Sequence, residues 1–402
     1  MSLRGSEYYE QHFLLSKEIV QFILGVRRHQ NSKDLLFFLC VVTIYVLPMI
    51  VHQFYQLSTL DIKLNSNYKI LQKTLCILCI ICIYANVCFH SPTMQKLLVN
   101  FTNRMDNCEL FLDKNELYIL DKYVKQSKLI TIIFASSGSL YGISITLPSI
   151  LSVFFNIFGT VNGVHVTLPF PVNNVSNAGP FYYGLLIYQI TAIFIMLIIT
   201  CVSFSSYLVI IQHACVLFRF LMIKINQPFK DQVYKKDCWY NRKIQKEQKW
   251  IVDIIARYIK ATEYVDLINN FSKIIYLIGV FLSMVFIFFD LLYILQFPTI
   301  LKNADETFEC FVVIVGSLST AYINFYMGQM VIDHSTAVFQ ELCQVPFYTL
   351  SGKAQKLLLL IIARSMKPCH ISIGGIFIAS HEIFAKIIQK VFSFAMVFYR
   401  ML

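Results

Sequence analysis

FYYGLLIYQITAIFIMLIITCVSFSSYLVII, residues 181–211, runs for thirty-one positions without a charged side chain. A helix needs about 20 mostly apolar residues to cross ~30 Å of hydrocarbon, so this stretch reads as a membrane span. Six further runs meet or approach that length: 35–54, 70–89, 129–155, 274–297, 311–332 and 373–399. The second carries Gln72, Lys73 and Asn86, and the last is interrupted by Glu382 and Lys386, which makes these two the weakest of the seven. The expected fold class is an all-α membrane protein, a single seven-helix domain over 1–402.

Composition agrees. Of 402 residues 57% are hydrophobic and 14% charged, against ~25% charged in an average soluble domain. The aromatic share of 15% is more apolar surface than one globular core can hide, and it suits helices facing lipid. A net charge of +11 invites a nucleic-acid reading, but the basic residues are confined to particular loops, so no nucleic-acid partner is expected. The segments before helix one and after helices two, four and six hold 5, 6, 12 and 4 Lys plus Arg. The opposite segments hold only Lys63, Lys69, Lys302 and Arg400. By the positive-inside rule the amino terminus is cytosolic, and seven crossings place Leu402 outside. A G-protein-coupled receptor runs the other way, and its acidic-Arg-Tyr triplet and Asn-Pro-x-x-Tyr motif are both missing.

Twelve cysteines lie mostly inside or beside apolar runs, so no secreted disulfide framework is implied. Cys76, Cys79 and Cys82 have a spacing that can hold a metal, yet in LCILCIICIYA cysteine behaves as a small hydrophobe, and no metal site is expected. Residues 1–33 show no cleavable signal peptide. Hydrolytic, phosphate-binding and dinucleotide motifs are absent, so neither an enzyme nor a cofactor is expected.

The sequon Asn174-Val175-Ser176 falls on the Lys-free loop 156–180 and is the expected glycan acceptor, whereas those at Asn100 and Asn270 fall on the cytosolic side. Residues 352–367 read as a cytosolic helix buried against others, and the basic run 240–260 as a cytosolic extension of helix five. Together they predict a packed intracellular anchor, dividing the domain into a cytosolic segment 1–34, helices one to six over 35–343, and helix seven over 344–402. Charges within spans are costly and call for an explanation. Asp290 is expected at the outer interface, and Asp333 with His334 as a cap closing helix six. On the last helix Lys386, Lys390, Ser393, Val397 and Arg400 or Met401 recur every three or four residues, opposite Phe384, Ile388, Phe392, Ala395 and Phe398. Such a stripe faces either protein or a pore.

From Gln344 onward the chain resembles the insect odorant receptors: QVPFY, LLLLIIARSMKP, GGIF, Ser380, Phe384-Ala385-Lys386 and Phe392-Ser393-Phe394. Departures are Phe347 and Phe394, where the family often has Trp and Tyr, and Cys369-His370. The resemblance implies a heterotetrameric, ligand-gated cation channel in the plasma membrane of olfactory sensory neurons. In it a ligand-tuning subunit joins odorant co-receptor subunits, and the short loop between helices four and five marks this chain as the former. Residues 352–367 become the cytosolic half of helix seven. Ser393, Val397, Arg400 and Met401 become the pore and its gate, with Val397 and Met401 the apolar constriction.

The resemblance also implies an apolar cavity formed between helices two to six for a small volatile or lipophilic ligand. Ser137, Tyr141 and Ser144 share a face of helix three and Ser317 and Thr320 one of helix six; with Tyr183 and Ile187 they are the expected contacts. Hydroxyls in membrane helices also bond to their own backbone, and that reading stands equally. The competing functions are a gustatory receptor channel, disfavoured by the missing Thr-Tyr and Gln-Phe near the end of helix seven, and a secondary transporter, disfavoured by the lack of internal repeats.

Overall fold

The structure, a computed structural model, describes residues 32–59, 70–85, 114–158, 168–170, 172, 179–230, 240–296 and 304–401. Asn174, Asn100, Leu402 and the segment 1–31 lie outside them. Within this set the chain is almost wholly helical: α1 (Ser32–Thr59), α2 (Ile70–Ala85), α3 (Lys114–Ile157), α4 (Pro180–Lys230), α5 (Tyr240–Gln296), α6 (Ala304–Cys343), α7 (Gly352–Ser365) and α8 (His381–Met401). A short antiparallel hairpin, β1 (Ser372–Ile373) with β2 (Phe377–Ile378), separates α7 from α8.

Five of these helices, α1, α3, α4, α5 and α6, are long and apolar enough to cross a membrane. Helix α2 is shorter, and α8 has 21 residues but carries Glu382, Lys386, Lys390 and Arg400. They account for the seven expected crossings. Helices α4 and α5 have 51 and 57 residues, roughly 75–85 Å at 1.5 Å per residue, more than twice the hydrocarbon thickness. Both therefore project far beyond one face, the face that carries most of the Lys and Arg, and the run 240–260 is the start of α5 itself.

The main core runs from the spans into that projection. Leu208, Ile211, Leu221 and Ile225 of α4 meet Ile251, Ile254 and Ile268 of α5, Phe325, Val331 and Leu342 of α6, and Leu358 and Ile361 of α7. For those beyond the bilayer, burial of each side chain stabilises by about 1.5–3 kcal/mol. In the opposite half the helices have lipid around them, and packing contacts take over. There α1, α2, α3 and α4 share a smaller cluster around Val46, Ile77, Ile145 and Ile193.

Two expectations are corrected. The last span does not begin at 373, because Gly374 and Gly375 have φ of +66° and +76° and turn the chain into the hairpin. Only after it does α8 start, at His381. The hairpin is fastened to α5: Asn269 Nδ2 donates to His370 O at 2.9 Å, Ser372 N–H donates to Asn269 Oδ1 at 2.8 Å, and Gly374 N–H donates to Lys273 O at 2.9 Å. It also lies against α6, where a Cβ on Gly328 would come within 2.4 Å of the Ala379 carbonyl oxygen.

Asp333 and His334 do not close α6 either, since the helix continues to Cys343. His334 Nδ1 instead donates to Met330 O at 2.7 Å, which leaves Nε2 to accept from the Tyr123 hydroxyl of α3. Asp333 accepts from Gln329 Nε2 at 2.8 Å.

Candidate functional site

In the half of the bundle away from the basic projection, α2 to α6 line a partly open cavity of about 400 Å³. Its position follows from helix spacing. On α4 the wall residues Ile193, Met196, Leu197, Thr200, Ser203, Phe204 and Tyr207 recur every three or four positions, which is one helical face. Helix α2 contributes Cys76, Cys79 and Cys82, so the cysteine repeat is a wall of this space, where thiols fill volume as small hydrophobes.

At the end away from the projection, Phe170 of the loop between α3 and α4 joins the wall. Phe170 is 4% exposed, and Gln189 of α4 binds its backbone twice. Phe170 N–H donates to Gln189 Oε1 at 3.0 Å, and Gln189 Nε2 donates to Phe170 O at 2.9 Å. Lys73 of α2 adds a bond to Pro169 O at 2.6 Å and holds its ammonium 5.5 Å from the Phe170 ring centre. A charge inside a span is thus matched by a carbonyl and an aromatic face. Nearby, Asp290 is 2% exposed and accepts from the buried Gln72 Nε2 at 3.2 Å. Asp290, expected at the interface, packs inside the bundle, where a hydrogen-bonding partner on α2 allows it to be buried.

Of the expected ligand contacts, Ser137, Tyr141, Ser317 and Thr320 line the cavity. Ser144, Tyr183 and Ile187 are not among its walls. Ser144 donates to Tyr141 O at 2.8 Å, Tyr183 packs edge-on against Tyr182, and Ile187 is 63% exposed. The α4 wall starts lower, at Ile193. Residues that the sequence reading missed include Phe170, Tyr207 and Phe325. The three-to-four spacing of α4 was the available signal for Tyr207, whereas nothing local to Phe170 marked it.

The polar groups on the wall are mostly turned inward to their own helices. Ser137 donates to Phe134 O at 2.8 Å, Thr200 to Met196 O at 2.8 Å, Ser283 to Val280 O at 2.8 Å and Ser317 to Ile314 O at 3.0 Å. The two readings of these hydroxyls are compatible: they bond to backbone and also line the space.

Helix α8 lies beside the cavity. Its inner face buries Val391 and Ala395. Phe384 packs 5.5 Å from Phe325 and 5.6 Å from Tyr322 between ring centres, and Phe398 lies 6.0 Å from Phe288 of α5. Ser393, Val397, Arg400 and Met401 all lie on the exposed face, Val397 at 54% and Met401 at 80%. Lys386 is on the same face, paired with Glu382 one turn earlier.

A family model described as 7tm Odorant receptor matches residues 67–392. The fold is similar to that of the insect olfactory receptor OR5 from Machilis hrabei in complex with eugenol, with a TM-score of 0.73 at 12% identity over 96% of each chain. It is likewise similar to a second structure of the insect olfactory receptor OR5 from Machilis hrabei, at a TM-score of 0.70 and 13% identity over 94% of this chain and 95% of that one. No curated protein sequence matches the chain. At that identity the structural likeness speaks for the fold, and the family match carries the assignment.

Proposed function

The chain belongs to the 7tm odorant receptor family, a family of membrane receptors and not of enzymes, and from that premise we propose that it is the ligand-tuning subunit of an odorant-gated cation channel. An odorant occupies the cavity among α2 to α6 and stabilises an arrangement in which α8 moves outward. The exposed stripe of α8 faces a central pore shared with co-receptor subunits. Val397 and Met401 form its apolar constriction, which excludes ions by staying dry until it widens. Arg400 reaches away from the pore axis to lipid phosphate and water. The amino terminus is cytosolic, Leu402 and Asn174 face outward, and the complex resides in the plasma membrane of olfactory sensory neurons.

The observation that supports this reading is Phe325. It is part of the cavity wall and also packs on Phe384 of α8, so a molecule that displaces one ring pushes on the helix bearing Val397. The anchor of α4 to α7 holds the opposite half fixed, and Leu359 and Leu360 of α7, 65% and 67% exposed, offer it an apolar face for neighbouring subunits. The test is co-expression with a co-receptor subunit and exposure to a panel of volatile compounds under voltage clamp. A ligand-dependent cation current that needs both subunits is expected. A current carried equally by the co-receptor alone, for every compound, would overturn the proposal.

A further inference from the structure

The two ends of the cavity differ, and the difference bears on how an odorant lies in it, given the reading above that the cavity is the ligand site. From Ile193 to Tyr207 the α4 wall covers roughly 21 Å at 1.5 Å per residue. At the Phe170 end, the Lys73 ammonium is engaged by Pro169 O at 2.6 Å and by the Phe170 ring. At the opposite end α4 and α5 bring in Tyr207 and Tyr276, with ring centres 6.1 Å apart and 44° between the ring planes. Both hydroxyl oxygens are buried, and neither has a hydrogen-bond partner among the described residues. Ser272, on the same stretch of wall, has its proton on Ile268 O at 2.7 Å, which leaves it an acceptor that Tyr207 does not engage. Asn324 of α6, also at this end, donates one N–H to Thr320 O at 3.0 Å and keeps the other. Between the ends, Ser137, Thr200, Ser283 and Ser317 have spent their protons on their own helices. Uncommitted donors therefore gather at the tyrosine end.

We propose that Tyr207 and Tyr276 form the polar subsite of this cavity: the acceptor oxygen of a ketone, aldehyde, ester or alcohol takes a hydrogen bond from their hydroxyls, and the carbon chain runs toward Phe170. A small tilt of either ring presents its O–H to that oxygen. The selectivity comes from a cost that depends on the occupant. A phenol hydroxyl covered by a hydrocarbon has neither water nor protein to bond, which is unfavourable, whereas an oxygen in the same place supplies the missing acceptor. An extended eight-carbon chain is roughly 9 Å long, so a ligand anchored at the tyrosines does not reach Lys73, and the two ends compete for its oxygen. Lys73 already has a carbonyl and an aromatic face, so the tyrosines gain more from the ligand. Phe325, the wall residue that packs on Phe384 of α8, lies at the same end as the subsite.

The experiment uses the full chain purified into lipid nanodiscs, with tritiated 2-octanone as probe and empty nanodiscs as the background. Unlabelled 2-octanone and 2-methyl-1-octene, the same skeleton with a methylene group in place of the carbonyl oxygen, serve as competitors. The ratio of their two affinities is the readout, because it cancels effects on the fold and on the apolar wall. Tyr207→Phe and Tyr276→Phe together remove both hydroxyls and keep both rings. Ketone affinity relative to the alkene should then fall roughly 3- to 10-fold, the loss of one neutral hydrogen bond, and each single variant should lie between. Lys73→Met, at the other end, should leave the ratio within twofold. A ratio unchanged by the double variant overturns the subsite, as does a fall that appears in Lys73→Met instead. Alkene displacement retained in the double variant reports an intact cavity; if it is lost, the two single variants decide by the same ratio. Absence of any displaceable binding in the unmodified chain overturns the cavity as a ligand site and the subsite with it. Because the readout is binding, a failure of the channel proposal would leave these results unaffected.

Discussion

Replacing Gln189 by Leu removes the clamp on the Phe170 end of the cavity and little else. Gln189 is 3% exposed, and both its amide oxygen and its amide nitrogen bond the Phe170 backbone at 2.9 to 3.0 Å. Leu fills a similar volume, so no large cavity is created. Phe170 N–H and C=O are then left buried without those partners, at about 1–3 kcal/mol each if they stay in place. They need not stay. Residues 168–170 belong to a loop, and undocking them returns both groups to water, which caps the penalty near the net worth of two hydrogen bonds, about 1–3 kcal/mol. The expected result is a loosened loop and not an unfolded bundle. With 1.4 kcal/mol per factor of ten, 2 kcal/mol corresponds to roughly 30-fold in the open fraction of the loop.

Odorant washout should accelerate accordingly, by up to about 30-fold where the loop limits exit, with surface expression near that of the unmodified chain. Gln189→Glu keeps the acceptor for Phe170 N–H, loses the donor to Phe170 O, and should fall between the two. Washout rates that are the same in all three proteins, measured with rapid solution exchange, would refute the idea that Phe170 closes the route to the cavity.

Val397→Ser places a hydroxyl at the proposed constriction, where a narrow ring stays dry only if it is apolar; basal current without odorant should rise several-fold in the co-expressed complex, and an unchanged leak would remove Val397 from the gate. Gly374→Ala forces a side chain into φ +66° and brings its Cβ to 2.7 Å from Leu277 Cδ2. The left-handed conformation alone costs about 1–2 kcal/mol, so thermal stability in detergent should fall, while Gly375→Ala, whose Cβ meets nothing within 4 Å, should fall less. For the orientation, Asn174→Gln should abolish a glycosidase-sensitive mass shift that Asn100→Gln and Asn270→Gln leave intact; a shift that follows Asn270 would reverse the topology.

Hydropathy made the spans legible because lipid imposes a length on each helix that does not depend on its neighbours. The extension of helix five and the helix α7 were readable for a related reason, since basic residues at helical spacing cannot enter hydrocarbon. The stripe on α8 rests on period alone: its members are exposed, but so are Phe392 and Phe398 opposite them, and exposure does not set the stripe apart. What escaped were features fixed by partners far away in the chain. Asp290 is buried because of Gln72, a residue 218 positions distant. Phe170 is seated by Gln189 and Lys73, one of them on another helix. The hairpin at 372–378 was read as span because Ile373, Ile376, Phe377 and Ile378 are as apolar as any membrane segment. Only two positive-φ glycines distinguish it, and glycine is also common within membrane helices. The cavity itself was placed between the right helices, but its depth was not, since no pattern along α4 distinguishes residue 187, which faces outward, from residue 193, which faces in.

The proposed gating asks for a modest energy, and the geometry around Phe325 is on that scale. A ligand shifts a closed–open equilibrium only by the difference in its affinity for the two arrangements. A tenfold difference is 1.4 kcal/mol, about the worth of two methylene groups moved from a loose contact to a tight one. Phe325 meets the cavity on one side and Phe384 on the other, so a change of rotamer there is felt by the ligand and by α8 at once. The junction of α7 and α8 is held to α5 by Asn269 and Lys273 and to α6 by Gln329, which donates no freedom to the start of α8: its Oε1 accepts from His381 N–H at 3.2 Å. Motion of α8 is therefore a tilt about a fixed inner end, largest at Val397 and Met401. A wall that is mostly apolar suits this arrangement, because dispersion against Phe325 accrues to any ligand of sufficient bulk.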